Sequence, residues 1–133
     1  MKKYLLDTNI CIYFLKGLYN LDKQIEKAET ENCFVSEITI AELKFGVENS
    51  ESKERNKKTI DDFVNKFTII PIFNSLDIYA KEKARLRKKG LPLDDFDLLI
   101  GATAISSNFI LVTRNVSDFE RLEGIAIENW VKN

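Results

Sequence analysis

The chain has 133 residues, of which 44% are hydrophobic, and a formal net charge of −1. This length is typical of one domain with one core, so we expect a single domain spanning residues 1–133. The charge balance excludes a global electrostatic attraction to nucleic acid. Asp7 and Asn9 interrupt the apolar N-terminus, which excludes a signal peptide, and no apolar run is long enough for a membrane span. We therefore expect a cytoplasmic protein with no membrane association.

Short apolar segments alternate with helical patterns along the chain. The predicted strands are residues 3–6, 33–36, 68–72, 109–113 and 125–130. The predicted helices are residues 10–17, 20–31, 38–50, 53–67, 75–90, 94–108 and 117–124, with glycine stops at Gly17 and Gly90. This alternation predicts an α/β fold with an open, mostly parallel sheet and helices on both faces. Such sheets bind ligands at the carboxyl ends of their strands.

Four acidic residues occupy positions at strand ends or in apolar helices: Asp7, Glu42, Asp97 and Asp118. Carboxylates that a fold brings together cannot share a pocket uncompensated, so either some take up a proton or a cation joins them. The chain has no histidine, and oxygen ligands favour a hard divalent cation. The pattern therefore predicts a metal-dependent phosphodiesterase.

The two cysteines do not change this prediction. Cys11 and Cys33 lie apart, without the spacing of a zinc site, and both have apolar neighbours. We therefore expect buried, reduced thiols.

Structural roles are also possible for the first and third acids. Asp7 precedes a helix and could cap its free N–H groups, and Asp97 could be a first-turn acid that the helix dipole favours. Asp97 shares a helical face with Gly101 and Ala104, however. A charge among small, apolar neighbours needs a partner, and we expect these small residues to leave room for one.

The other two acids also have competing interpretations. Glu42 points away from the polar side of its helix, which indicates either a site residue or a buried salt bridge. Asp118 would follow a helix-capping box formed by Ser117 and Glu120, which would explain it structurally and also hold its loop rigid.

Short polar residues lie beside the same strand ends: Thr8, Asn9, Ser36, Thr113 and Asn115. They could orient the carboxylates, although turn formation accounts for them equally well.

Residues 81–89 form a basic segment with six basic residues and one acid. We predict that its lysines and arginines help to hold an RNA backbone: Lys81, Lys83, Arg85, Arg87, Lys88 and Lys89. The alternative is an exposed helical face with ordinary solvated charges.

Four segments of the chain resemble PIN-domain proteins, and most closely the VapC-type toxins of bacterial toxin–antitoxin pairs. They are LLDTNICIYFLKG, SEITIAELKFGV, GLPLDDFDLLIGATA and FILVTRNVSDFERLEGIAIENW. The resemblance implies a three-layer α/β/α fold and a Mg²⁺- or Mn²⁺-dependent endoribonuclease that cleaves structured RNA, commonly tRNA or rRNA. By position, it makes all four acids catalytic and metal-binding, with Asn9, Thr113 and Asn115 as supporting polar residues.

The resemblance also implies protein partners. We expect a homodimer and a cognate antitoxin that docks near the first two helices, where residues 10–15 and Leu18, Tyr19 and Leu21 carry much apolar surface. The alternative is that several of these side chains are ordinary core residues.

Two other functional classes remain. A receiver-like signalling domain would need a lysine after a late strand, which IAIENW lacks. A non-catalytic PIN-like module that binds RNA or protein would not need the complete acidic set.

Overall fold

The structure is a computed structural model that describes residues 1–132; Asn133, the last residue of the predicted domain, lies outside the described residues. Five strands form one sheet in the order β3-β2-β1-β4-β5, and every neighbouring pair is parallel. The strands are β1 (Tyr4–Leu6), β2 (Cys33–Ser36), β3 (Thr68–Ile70), β4 (Ile110–Val112) and β5 (Ala126–Glu128). The predicted parallel sheet is therefore confirmed; β2 has the predicted bounds, and the other four strands are shorter than predicted.

Helices follow the strands in the predicted order. They are α1 (Thr8–Leu15), α2 (Leu21–Ala28), α3 (Glu37–Glu48), α4 (Lys53–Lys66), α5 (Leu76–Lys88), α6 (Asp95–Ser107) and α7 (Val116–Phe119). Gly17 and Gly90, each with φ +69°, follow α1 and α5 as the predicted stops. The second helix ends at Ala28 rather than residue 31, because Glu29 has a φ of 74° that a helix cannot continue through.

The predicted capping box before the last helix is wrong. Helix α7 begins at Val116, so Ser117 lies inside it, and Asn115 occupies the cap position without a side-chain capping bond. The backbone N–H of Asn115 donates to the Thr113 hydroxyl at 3.0 Å, and its side-chain amide donates to Asp118. These two bonds, rather than the predicted capping box, fix the loop before α7.

Alternating side chains of the sheet supply two separate hydrophobic clusters. Leu6 and Val112 belong to the cluster beneath α1, α2 and α4, whereas Leu5 and Leu111 belong to the cluster with α6 and α7. Burying each such side chain contributes about 1.5–3 kcal/mol. Helices therefore cover both faces, which confirms the three-layer α/β/α arrangement.

The two cysteines are buried and free, as predicted. Burial raises the pKa of the Cys11 thiol well above its usual value, and it raises the pKa of Cys33 to about 11. Within residues 1–132, no helix combines the length and the apolar character needed to cross a bilayer.

The sheet order places the predicted site. Strand β1 lies in the centre, between β2 and β4, and all three run in the same direction. Asp7 and Thr113 directly follow β1 and β4, and Ser36 is the last residue of β2. All three residues therefore lie at the carboxyl edge where parallel sheets bind ligands.

Candidate active site

Asp7 is fixed at the end of β1 by bonds to both of its carboxylate oxygens. Oδ1 accepts from the Thr8 backbone N–H and Oδ2 accepts from the Thr113 hydroxyl, both at 2.8 Å. Asp7 is therefore the N-cap of α1, as the structural interpretation proposed, and also a buried carboxylate at the sheet edge. Burial raises its pKa, the two hydrogen bonds lower it, and the charge of Glu42 raises it; the net direction is upward.

Glu42 is held by a short chain of hydroxyl groups. The Thr8 hydroxyl donates to Glu42 Oε1 at 2.8 Å, and the Thr39 hydroxyl lies 2.8 Å from that of Thr8. Because Thr8 has one hydroxyl proton and gives it to Glu42, Thr39 is the donor to Thr8. The ion pairs formed among residues 1–132 all involve other acids, so the predicted alternative of a buried salt bridge at Glu42 is not realised.

Asp97 lies in the first turn of α6, and Asp94 caps this helix by accepting from the Phe96 N–H. Desolvation is the largest of the influences that raise the pKa of Asp97 to about 6, and the charges of nearby acids act in the same direction: Asp7, Asp94, Glu42 and Asp118. The side chain is half-buried. The neighbouring negative charges therefore contribute to the raised pKa of Asp97.

The room predicted beside Gly101 is already filled. A Cβ atom at this position would collide with Leu122 and touch Phe119. Both of these side chains are buried in the second hydrophobic cluster. Gly101 therefore allows close packing against α6, and it does not leave space for a partner of Asp97.

Asp118 differs from the other three acids because a basic side chain, Arg121, lies beside it. Its Oδ2 accepts from the Asn115 side-chain amide at 2.9 Å, and its Oδ1 lies 3.4 Å from an Arg121 guanidinium nitrogen. It is close enough to raise the pKa of Asp97. It does not line the cavity that the other three acids share.

An open cavity of about 660 Å³ lies at the carboxyl edge of the sheet. Three of the four predicted acids line it, together with the predicted supporting residues Thr8 and Asn9. The full lining is Asp7, Thr8, Asn9, Ile12, Ala41, Glu42, Phe45, Phe96 and Asp97. The other two supporting residues, Thr113 and Asn115, act from the β4–α7 loop through their bonds to Asp7 and Asp118.

The donor set of this cavity fits a hard divalent cation. Its charged groups are carboxylates, and within residues 1–132 none of the three forms an ion pair with a basic side chain. Desolvation and the neighbouring negative charges together raise the pKa of Asp97. Across residues 1–132, no three acidic or cysteine side chains stand close enough to form a ready-made coordination shell. Mutual repulsion between uncompensated carboxylates favours such separation.

The basic segment divides into paired and unpaired residues. Lys83 pairs with Asp95 at 2.7 Å, and Arg85 donates twice to Glu82 and once to the Arg121 carbonyl. The Arg85 guanidinium therefore bonds to other groups of the protein, whereas the sequence predicted that it would contact RNA. The other residues predicted to bind RNA form no ion pair in the described part of the chain: Lys81, Arg87, Lys88 and Lys89.

Three residues of the site were missed in the sequence. Thr39 lies three positions before Glu42, and Phe45 three positions after it, a spacing that puts all three on one helical face. Phe96 directly precedes Asp97. The helical spacing could have identified Thr39, but the exposure of two phenylalanines beside an acidic cavity depends on the packing of α3 and α6.

Comparison with known proteins identifies the family of this chain. Residues 4–125 match the family described as PIN domain. The chain is 37% identical over 134 residues to Ribonuclease VapC2 of Rickettsia felis, covering 97% of this chain and 98% of the relative. It is 33% identical over 131 residues to the tRNA(fMet)-specific endonuclease VapC of Salmonella typhimurium, covering 98% and 99%.

A solved structure gives the same result. The chain superposes with a TM-score of 0.88 and 35% identity on a chain of Rickettsia felis VapBC2 bound to a DNA fragment from its promoter, covering 96% of this chain and 98% of the other. The resemblance noted in the sequence is therefore confirmed, and the protein belongs to the PIN-domain family as a member of its VapC ribonuclease group.

Proposed function

We propose that this protein is a divalent-metal-dependent endoribonuclease, the toxin of a toxin–antitoxin pair, acting on structured RNA in the cytoplasm. The observation that carries the proposal is the cavity shared by Asp7, Glu42 and Asp97, none of which forms an ion pair in the part of the chain that the structure describes. The relatives named ribonuclease and endonuclease support the reaction type.

Asp7, Glu42 and Asp97 would hold Mg²⁺ or Mn²⁺, with Asp118 adding negative charge nearby. The bound cation would supply activation of water and neutralisation of the charge that develops on the phosphate. Both metals accept the same oxygen ligands, so the donor set does not separate them.

Hydrogen bonds from neighbouring residues orient these acids. Thr8 and Thr113 fix the two oxygens of Asp7, and Thr39 holds Glu42 through Thr8. The pKa of about 6 belongs to Asp97 in the metal-free cavity, and a bound cation would favour the ionised form that serves as a ligand. Asn115 keeps the Asp118 carboxylate turned toward the loop.

The substrate and partners follow from the relatives. The Salmonella relative is named for tRNA(fMet), which supports tRNA as a substrate class here, with rRNA as the alternative. The Rickettsia structure is a VapBC complex, which supports a cognate antitoxin for this chain. A homodimer remains part of the proposal.

A groove of about 330 Å³ beside α1 suits an antitoxin segment. Ile12, Leu15, Leu43 and Val47 line it. Ile10 and Leu21, which belong to the apolar surface predicted for docking, are fully buried core residues instead.

The test is metal-dependent cleavage of total RNA by the purified protein. We expect Asp7→Asn and Asp97→Asn each to lower the cleavage rate by more than the roughly 10–100-fold typical of changes next to a metal ligand. Asn keeps the cap of α1 and the size of both side chains, so the fold should persist.

Asp95→Asn is the matched control, because Asp95 lies on the same helix but pairs with Lys83 outside the cavity. It should retain the wild-type rate. Wild-type turnover by the Asp97 variant in saturating Mg²⁺ would contradict the proposal. RNA binding without cleavage by the wild type would favour a non-catalytic PIN module.

A further inference from the structure

The wall of the acidic cavity carries two exposed aromatic rings. Phe45 is 69% exposed and Phe96 is 45% exposed, yet both line the cavity that holds the carboxylates. Phe45 follows Glu42 by one helical turn, and Phe96 directly precedes Asp97. Each of these two helices, α3 and α6, therefore brings both an acid and a phenylalanine to the cavity.

Electrostatics alone cannot supply affinity for RNA at this cavity when it holds no metal. The chain has a net charge of −1, and the acids that line the cavity repel phosphate groups. Single-stranded nucleic acid can gain affinity from bases that stack on aromatic side chains, and such stacking tolerates any base because every base has a π-face.

We propose that Phe45 and Phe96 are substrate-positioning residues on which nucleobases next to the cleaved phosphodiester stack. This inference rests on the proposed function and adds how the substrate is gripped. The substrate segment is then single-stranded at the cavity, because a base cannot stack on a protein ring while it remains within a duplex. A protein partner is the less favoured occupant, because the adjoining groove beside α1 offers it the aliphatic side chains of Leu15, Leu43 and Val47 and contains no acid.

Binding can be measured separately from cleavage. The probe is a short single-stranded RNA that carries 2-aminopurine, whose fluorescence falls when the base stacks, titrated in EDTA so that no metal-dependent cleavage occurs. We expect quenching by the wild type, and an affinity lower by about 5- to 150-fold for Phe45→Ala or Phe96→Ala, which corresponds to about 1–3 kcal/mol per stacked base.

Three further variants separate stacking from simple burial. Phe45→Leu keeps an apolar side chain and should lose affinity and quenching, whereas Phe45→Trp keeps an aromatic face and should retain both. Phe73→Ala removes a 78% exposed phenylalanine outside the cavity and should behave as wild type. The ratio of wild-type to Phe45→Ala dissociation constants should stay constant as salt is raised, because stacking releases no counterions.

Wild-type affinity of Phe45→Leu, or of both alanine variants, would overturn the inference. Variants that bind RNA normally but no longer bind the antitoxin would assign these rings to a protein partner instead. In the cleavage assay we expect a higher KM with kcat nearly unchanged. If the wild type binds the probe through Phe45 but cleaves no RNA with Mg²⁺ or Mn²⁺, the nuclease proposal fails and the stacking inference stands.

Discussion

Two carboxylates on the neighbouring helices α5 and α6 have opposite surroundings. Glu82 accepts from Arg85 Nε and Nη2, each at 2.8 Å, and from the Glu123 N–H at 2.7 Å. The Arg85 bond is the largest of the influences that hold the pKa of Glu82 below its usual value. Asp97 is surrounded by other acids, and desolvation together with their charges raises its pKa to about 6.

The difference shows how a structural acid can be told from a site acid. Glu82 is 8% exposed, so burial alone would have selected it as a functional residue. The charge of Glu82 is compensated by Arg85, whereas Asp97 forms no ion pair within residues 1–132. A perturbed pKa marks a candidate site when no protein partner accounts for the buried charge.

Removing the satisfied acid should cost the most stability. Glu82→Gln removes two charge-assisted bonds from Arg85 and leaves that guanidinium with only the exposed Glu123 carboxylate, at 3.6 Å, as a counter-charge. We therefore expect a loss of about 2–3 kcal/mol in the free energy of unfolding. Urea denaturation measures it. Asp61→Asn, which breaks an exposed pair with Lys57, is the control and should change stability by less than about 0.5 kcal/mol. Equal effects of the two variants would remove the distinction.

Removing the charge of Asp97 should increase the free energy of unfolding, whereas removing that of Glu82 should lower it. Without metal, Asp97→Asn relieves repulsion and desolvation, so we expect stabilisation on the order of 1–2 kcal/mol, a figure reduced for solvent screening because the side chain is half-exposed. Denaturation in EDTA measures this gain, which added Mg²⁺ should reverse. Destabilisation in EDTA would mean that Asp97 has a favourable partner.

The pH dependence of folding stability should also distinguish Asp97 from Glu82. A raised folded pKa means that ionised Asp97 destabilises the fold above about 6, and this penalty disappears as the pH falls from about 6 toward the ordinary 3.8. Metal-free wild type should therefore gain stability between about pH 7 and about pH 5, and Asp97→Asn should gain less. Asp7, whose pKa is also raised, adds a gain of the same sign to both proteins.

Ionised Glu82 stabilises the fold, and this stabilisation is lost in a lower pH range than the one in which Asp97 takes up its proton. Its pKa is lowered, so its contribution is complete above the ordinary 4.5 and disappears only as the pH falls through the lowered folded pKa. Parallel stability profiles for wild type and Asp97→Asn between about pH 7 and about pH 5 would contradict the assignment of this effect to Asp97.

The smallest expected effect concerns three basic residues of α5 and its C-terminal end that form no ion pair among residues 1–132. Replacing Arg87, Lys88 and Lys89 with glutamine should weaken RNA binding across sequences. It should also lower the salt dependence of log K by about 0.7 for each phosphate of a single strand that the protein no longer neutralises. Lys57→Gln, a change at an exposed, paired lysine on α4, is the control. An unchanged slope would leave these residues as an ordinary solvated helical face.

Much of the fold could be predicted because its signals are local. Alternating apolar strands and capped helices are visible in single segments, and Asp7 and Asp97 stand next to them. The unusual position of Glu42 on its helix was also visible, because helical geometry fixes its direction.

The remaining features depend on contacts between distant segments. Arg85 bonds to the Arg121 carbonyl, 36 residues away in sequence, and the space beside Gly101 is filled by Leu122. Neither contact leaves a local pattern. The hydrogen bond from the Asn115 side-chain amide to Asp118 is local in sequence. The sequence equally favours a capping box at Ser117, however, and this box does not form.

The central position of β1 also determines when the acidic cavity can come into existence during protein synthesis. One neighbour of β1 is β2, but the other is β4, and Asp7 is fixed by Thr113, which lies 106 residues later in the chain. An emerging chain therefore holds Asp7 and Glu42 long before the segment that orients Asp7 has been made. A growing polypeptide that has not reached Thr113 cannot hold Asp7 in this way, so the oriented acidic cavity forms only after β4 and Thr113 have left the ribosome.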